Sequence, residues 1–464
     1  MAQDNSQVQE FDLIVIGAGS GGVRAARISA QHGAKVAVVE SSRLGGTCVN
    51  LGCVPKKLMA YASHFARDFQ DAKGYGWTVN SPEFSWKTLI ENKNAEIDRL
   101  NGIYGGMLEK NGVELYRGLG RYLKAANAKH IIRVDQEEGS VDICAKRVLI
   151  ATGGKADRPD IPGAEHMLVS DDLFYLEELP KSIAMVGSGY ISVEFASIFA
   201  GLGVDVHLMI RNDAFLREFD SQLGAWCADA FKERGIHVHQ RMNVKSVEKA
   251  GDKSVLSYEQ DGEVKTLEVD HVVSAIGRSA LVPKGVEASI PEGLDKKGFI
   301  PVNNKFETSL PGLYAVGDVT GCAALTPVAI KQGHWLADDW FGTPRPVLTI
   351  PSIPTAVFTQ PAIGTVGASE DELKKNGVAY KLYQSSFRPM KHTLAKNPLK
   401  VGIKLIVSDD EQEKVLGMHM FGDEAPEIIQ SLAVAFDMGL TKPQLDMTLG
   451  VHPTVGEEWV TMRG

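Results

Sequence analysis

Along the first forty residues the rhythm of apolar positions changes twice. The run DLIVIG gives way to the glycines of GAGSGG and then to VRAARISAQHG, a helical pattern with small residues on one face. A second apolar run, KVAVVE, ends at Glu40. The succession predicts strand, glycine turn, helix and strand. It returns at SIAMVGSGYISVEFASIFAGLG, followed by VDVHLMIR. VLIATGG (148–154) and VVSAIGR (272–278) each close an apolar strand on glycine and suit crossings between domains. GLYAVGD (312–318) ends its strand on Asp318. From about residue 346 the pattern becomes strands joined by turns, with SDDEQEK a solvated hairpin tip and EIIQSLAVAFDMGL an amphipathic helix.

The glycine turns carry the first chemistry. Gly17, Gly19 and Gly22 form G-x-G-x-x-G between a strand and a helix, and Glu40 closes the next strand. The first glycine allows the tight turn, the second lets a pyrophosphate approach the backbone, and the third lets helix and strand pack closely. Glu40 can accept from a ribose hydroxyl. In the second unit Gly187 and Gly189 repeat the turn, but the following strand ends in Arg211, with Arg217 nearby. Two solvated arginines would explain these as well. An arginine where an acid would meet a ribose hydroxyl instead suits the 2′-phosphate of NADP.

Composition narrows the class. The 464 residues, 44% hydrophobic and 23% charged, are ordinary for globular protein and long enough for several cores. A formal charge of -9 disfavours a broad nucleic-acid surface. No apolar run is long enough for a membrane span. The polar start MAQDNSQVQE shows no export signal, so a cytoplasmic setting is expected.

Two of the five cysteines stand together in GGTCVNLGCVPKK. Cys48 and Cys53 admit a structural disulfide, half a zinc site, buried thiols or a working redox pair. A helical pattern follows Cys53, and its dipole with Lys56 and Lys57 would favour a thiolate. Zinc would need further ligands at matching spacing, and no second C-x-x-C or paired-histidine motif stands out, so no metal is expected. Cys144, Cys227 and Cys322 read as ordinary buried thiols. Near the end, GVHPTVGEEWVTMRG offers His452, by itself a turn histidine, and Thr454 with Glu457 as a capping box.

With GGTCVNLGCVPKK, two dinucleotide turns, GYISVEF, AVGD and HPTVGEE in this order, the chain resembles the flavoprotein disulfide reductases from about Asp12 to Arg463, most closely their glutathione-reducing members. The resemblance implies an α/β fold: two Rossmann-like dinucleotide-binding domains, for FAD and NADPH, plus a C-terminal α+β dimerisation domain. The segments would be 1–153 and 277–345 for FAD, 154–276 for NADPH and 346–464 for the interface. It implies a homodimer whose subunits share the active site, acting on glutathione disulfide, with neither nucleic acid nor membrane as partner.

Carried over by position, Gly17, Gly19, Ser20, Gly22, Glu40, Thr47, Thr152, Gly153, Arg278, Asp318 and Thr326 are expected at the cofactors, the last two at the flavin end. Cys53 would face the flavin and Cys48 would attack the substrate. Lys56 would pair with Glu194 near the flavin, and Tyr190 would be a lid for nicotinamide. Gly187, Gly189, Arg211 and Arg217 would hold NADPH. His452, from the second subunit and oriented by Glu457, would be the general acid, reversing the turn reading. Arg27 and Tyr104 would meet the substrate, with Arg24 beside them. There are departures: His334 stands where many members carry a second substrate arginine, Glu96 where they carry a tyrosine, and Ser192 where alanine is usual. A reductase of another small disulfide, or a dihydrolipoamide dehydrogenase, shares the architecture; the latter uses NAD, which Arg211 and Arg217 oppose.

Overall fold

The computed structural model describes residues 8–80 and 82–463; residues 1–7, part of the polar start, lie outside them. Residues 8–56, Ile90–Ala156 and Arg278–Thr349 form one compact unit. Its centre is a seven-stranded sheet. Parallel strands Glu114–Arg117, Val36–Glu40, Gln9–Ile16 and Gly139–Ile150 lie side by side, and Leu313–Ala315 joins the far end of the last. Gly139–Ile150 also pairs antiparallel with Lys129–Gln136, which continues to Leu119–Ala126.

The apolar runs are continuous because both faces of this sheet are covered. Leu13, Val15, Val36, Val38 and Leu149 pack with Val23, Ala26 and Leu336 of helices Ser20–Gln31 and Thr326–Phe341. Ile14, Ile16, Ala37, Val39, Val148 and Ile150 point the other way and pack with Ile132, Ile143 and Leu313. Each buried aliphatic side chain contributes roughly 1.5–3 kcal/mol. The strand period of two thus builds two cores from one run of residues.

Residues 57–80, 82–89, Asp157–Gly277 and 350–463 form the second unit. It holds a five-stranded parallel sheet in the order His237–His239, Asp205–Met209, Ser182–Val186, His271–Ser274, Leu168–Val169. A three-stranded meander spans Asn243–Val269, and a five-stranded antiparallel sheet is built from residues 355–421. Lys404, 2% exposed, links these parts. Its ammonium donates to Asp220 at 2.8 and 2.9 Å and to Glu370 at 2.6 Å. Asp220 in turn caps helix Ser221–Glu233 by accepting from the Gln222 N–H at 3.0 Å. The fold class is the one expected, and SDDEQEK does join the two strands Val401–Ser408 and Val415–Phe421.

Three local expectations change. The strand before Arg211 stops at Met209, so Arg211 sits in the following turn. Asp318 lies in the short helical turn Gly317–Thr320, one step beyond strand Leu313–Ala315. Thr454 makes no capping bond to the turn Val455–Glu457, and the Glu457 carboxylate lies against His452 instead of reaching back to the Thr454 N–H.

Candidate active site

Cys48 lies within the short helix Gly46–Asn50, and Cys53 opens helix Cys53–Asp71. The loop between them is pinned from inside. The Asn50 amide donates to the Leu44 and Gly46 carbonyls at 3.0 and 2.9 Å, and the Asn101 amide donates to Asn50 Oδ1 at 3.0 Å. Both cysteines are free thiols here. Cys48 S–H donates to the Cys53 sulfur, and this bond is the first cause holding the Cys53 thiol down at about 6. Burial opposes the shift; Thr326, whose Oγ1 lies 3.7 Å from the Cys53 sulfur, and the Lys56 charge support it. Cys48 is pushed far up, first by the same bond and then by burial. The pair therefore holds a thiolate at Cys53 near neutral pH and a thiol at Cys48.

The glycine turn beside this pair is shaped for a dinucleotide. Gly17 has φ +104°, and a Cβ there would meet the Ala151 carbonyl oxygen at 2.5 Å. Gly22 is closed by the Gly17 carbonyl, at 2.0 Å from an added Cβ, whereas nothing comes within 3.9 Å of one on Gly19. Tight packing at the first and third glycines with open space at the second is what an approaching pyrophosphate requires. Glu40 is preset, accepting from the Ala18 N–H at 2.6 Å and the Ser42 N–H at 2.7 Å, with lone pairs left for ribose hydroxyls. Thr152 donates to the Leu281 carbonyl, and Arg278 donates to the Gly154 carbonyl at 2.7 Å. Burial raises the Asp318 carboxyl against the Arg278 charge, and its side chain has no hydrogen bond to another described residue. A half-buried acid that bonds no other described residue, an open glycine and a preset glutamate fit FAD.

On the first helix, Arg27 is half-buried and meets no carboxylate among the described residues. Arg24 donates to His334 Nδ1 at 3.4 Å, and His334 Nε2 lies 3.6 Å from Asp338. Tyr104 is half-buried in helix Trp86–Lys110. Its phenol is raised by burial and then by the Cys48 charge, with Arg24 opposing, which brings these groups into one electrostatic neighbourhood. Glu96 is held by Arg99 on its own helix at 2.7 and 2.8 Å.

In the second unit, Gly187 has φ +138°, and an added Cβ would meet the Ala275 carbonyl at 2.2 Å; Gly189 is open. Tyr190 begins helix Tyr190–Gly201 and is exposed. Glu194, buried in that helix, accepts from the Phe358 N–H at 2.7 Å. Arg211 and Arg217 are both exposed and form no ion pair with any described residue. His452 Nδ1 lies 3.1 and 3.2 Å from the two Glu457 oxygens, leaving its other nitrogen in solvent.

Residues 11–333 match the family described as pyridine nucleotide-disulphide oxidoreductase, and residues 353–463 match the dimerisation domain of that family. The chain belongs to the pyridine nucleotide-disulphide oxidoreductases. The relatives of this oxidoreductase are equally plain. A protein named glutathione reductase from Burkholderia cepacia is 44% identical over 98% of this chain and 99% of its own. The chloroplastic/mitochondrial glutathione reductase of Pisum sativum is 41% identical over 99% and 83%, and the glutathione reductase of Yarrowia lipolytica 37% over 99% and 100%.

The sequence did not reveal every contact of the oxidoreductase. Thr326 reads as a flavin-end residue, yet it also touches the Cys53 sulfur. Gln332 accepts from the Gly317 N–H at 2.9 Å and so braces the turn carrying Asp318. Both come from LTPVAIKQG, whose helical pattern sets them six residues apart without naming their partners. Among the described residues no helix is long and apolar enough to cross a membrane.

Proposed function

We propose that this oxidoreductase reduces glutathione disulfide to two molecules of glutathione with NADPH. The observation that carries the reading is the Cys48–Cys53 pair, with its thiolate on Cys53, set beside a glycine turn shaped for a dinucleotide. Relatives along the whole chain named glutathione reductase support the substrate. FAD bound there would supply the hydride acceptor for NADPH and the electron-pair donor for the disulfide. Gly17, Gly19, Ser20, Gly22, Glu40, Thr47, Thr152, Gly153, Arg278, Asp318 and Thr326 hold it. Gly187, Gly189, Arg211 and Arg217 hold NADPH, and Tyr190 covers the nicotinamide position. Lys56 and Glu194 complete the flavin side. The functional domains follow the four segments 1–153, 154–276, 277–345 and 346–464.

The protein's own groups then carry the disulfide exchange. His452 of the partner subunit takes the proton of the Cys48 thiol as that sulfur attacks one substrate sulfur; a mixed disulfide forms and the first glutathione leaves as thiolate. His452 of the partner subunit protonates it, while Glu457 on Nδ1 fixes the ring and balances the positive charge. The Cys53 thiolate then attacks the Cys48 sulfur, releases the second glutathione and restores the disulfide. Arg27 meets a substrate carboxylate, and Tyr104 lies between the two halves. The shared site requires a dimer, and the exposed Met438, Met447, Leu449 and Val451, within the matched dimerisation domain, supply an apolar surface for one.

A second reading keeps the chemistry but changes the disulfide, because His334 is engaged by Arg24 and Asp338 where an arginine would reach out. Initial rates of NADPH oxidation with glutathione disulfide, beside NADH and beside NAD with dihydrolipoamide, separate these cases. Fast turnover with NADPH and glutathione disulfide alone is expected. Slow turnover with fast flavin reduction by NADPH would favour the second reading.

A further inference from the structure

The edge of the parallel sheet in the second unit carries a cluster that disulfide chemistry does not use. Strands Asp205–Met209 and His237–His239 run parallel, with His207 opposite His237 and Met209 opposite His239. The strand period puts Asp205 with His207, and His237 with His239, on shared faces. The His207 ring stacks on His237 at 4.8 Å and on His239 at 5.3 Å. Asp205 Oδ1 lies 3.2 Å from His237 Nε2, and Asp205 Oδ2 lies 3.4 Å from His207 Nε2. One ligand atom from each of these three residues lies within 4.8 Å of the other two.

We propose that Asp205, His207 and His237 form a binding site for a divalent transition metal of the zinc class, with His239 orienting His207. Two imidazoles and one carboxylate are a donor set for zinc, copper or nickel, and too poor in oxygen for magnesium or calcium. Ligands about 2.1 Å from a tetrahedral ion stand about 3.4 Å from one another, close to the two histidine–aspartate separations. His207 Nδ1 lies 3.0 Å from His239 Nε2, the outer hydrogen bond that fixes the tautomer of a metal-binding histidine. With the ion on His207 Nε2, the ring carries its proton on Nδ1 and donates it to His239 Nε2. The ion has an open path, because the Asp205 and His237 side chains are 53% and 56% exposed while His207 is 14% exposed. Water completes the coordination. Bound there, the ion clips the edge strand to its neighbour. The two half-motifs stand far apart along the chain and meet only through parallel pairing, so the sequence expectation of no paired histidines missed them.

Zinc chloride titrated calorimetrically into the FAD-loaded enzyme in its disulfide form, where Cys48 and Cys53 offer no thiolate, tests the site. Wild type is expected to take up one zinc per chain. Asp205→Asn, which preserves the shape, is expected to bind at least about 10-fold more weakly. His207→Ala/His237→Ala is expected to lose saturable uptake, and Cys48→Ser/Cys53→Ser to keep it. Pulsed EPR of the copper(II)-loaded protein should show nitrogen couplings from two imidazoles, absent in the double histidine variant. Equal zinc uptake by wild type and that variant, with circular dichroism showing both folded, would overturn the proposal.

Discussion

The hydrogen bond from Cys48 to Cys53 can be isolated by two substitutions that leave a single thiol in the pair. Cys48→Ser keeps a donor at that position, and Cys48→Ala removes it. The bond is the first cause of the Cys53 shift from 9.0 to about 6, with burial working against it and Thr326 and Lys56 assisting. A hydrogen bond to a charged group is worth about 1.5–3 kcal/mol, and 1.36 kcal/mol moves a pKa by one unit. Losing it should therefore raise the Cys53 pKa by about 1 to 2 units, toward the lower figure because solvent reaches this sulfur. The assay is the pH dependence of Cys53 alkylation by iodoacetamide in the FAD-loaded variants, followed by the mass of the peptide that carries it. Cys144 and Cys227 are buried and serve as slow internal controls. Cys48→Ser should titrate near 6 and Cys48→Ala clearly higher. Identical midpoints would refute the idea that Cys48 sets the charge on Cys53.

Further outcomes follow from other sites. Arg211→Ala and Arg217→Ala should each raise the KM for NADPH about 10-fold with kcat little changed, and leave the KM for NADH where it was. His452→Ala should slow glutathione disulfide reduction by about 100-fold or more while stopped-flow reduction of the flavin by NADPH is unaffected; loss of both rates would return His452 to a structural role. Glu370 is held at about 2, first by Lys374 and then by Lys404, below its ordinary 4.5. Its contribution to stability is thus complete above pH 4.5 and is lost as pH falls through 2. Lys404→Met leaves Asp220 buried without its cation, so it should cost about 3–5 kcal/mol and move the acid unfolding midpoint, read by fluorescence, to higher pH. Ser192 is fully buried and its hydroxyl has no partner among the described residues, so Ser192→Ala should raise Tm by about 1 °C, a gain of about 1 kcal/mol.

How far the sequence could be read depended on the range of the contacts involved. The strands around Gly17 and Gly187 were legible because a parallel sheet covered on both faces writes itself as an unbroken apolar run, and a glycine turn writes itself as spacing. The Cys48–Cys53 relay was legible because both thiols lie within one short loop. Thr454 and Glu457 show the limit: their spacing satisfies a capping box, yet a histidine only a few residues away competes for the carboxylate and wins. Lys404, Asp220 and Glu370 come from three distant segments, and no local pattern announces a buried ion cluster assembled by tertiary packing. The Ser192 hydroxyl reads as an innocuous exchange for alanine; only its complete burial makes it a cost.

The order of strands in the first unit also governs how the polypeptide emerges from the ribosome. Strand Gly139–Ile150 is synthesised well before its neighbour Leu313–Ala315, and the helix Thr326–Phe341 that covers Leu13 and Val15 comes later still. At about 5–20 residues per second, the nascent chain waits roughly 10–30 s with one side of Val148, Leu149 and Ile150 unpaired. All three are wholly buried in the finished protein. A bare apolar strand edge invites pairing with other chains. During that interval the bare edge of this strand is the part of the nascent chain most open to pairing with other chains.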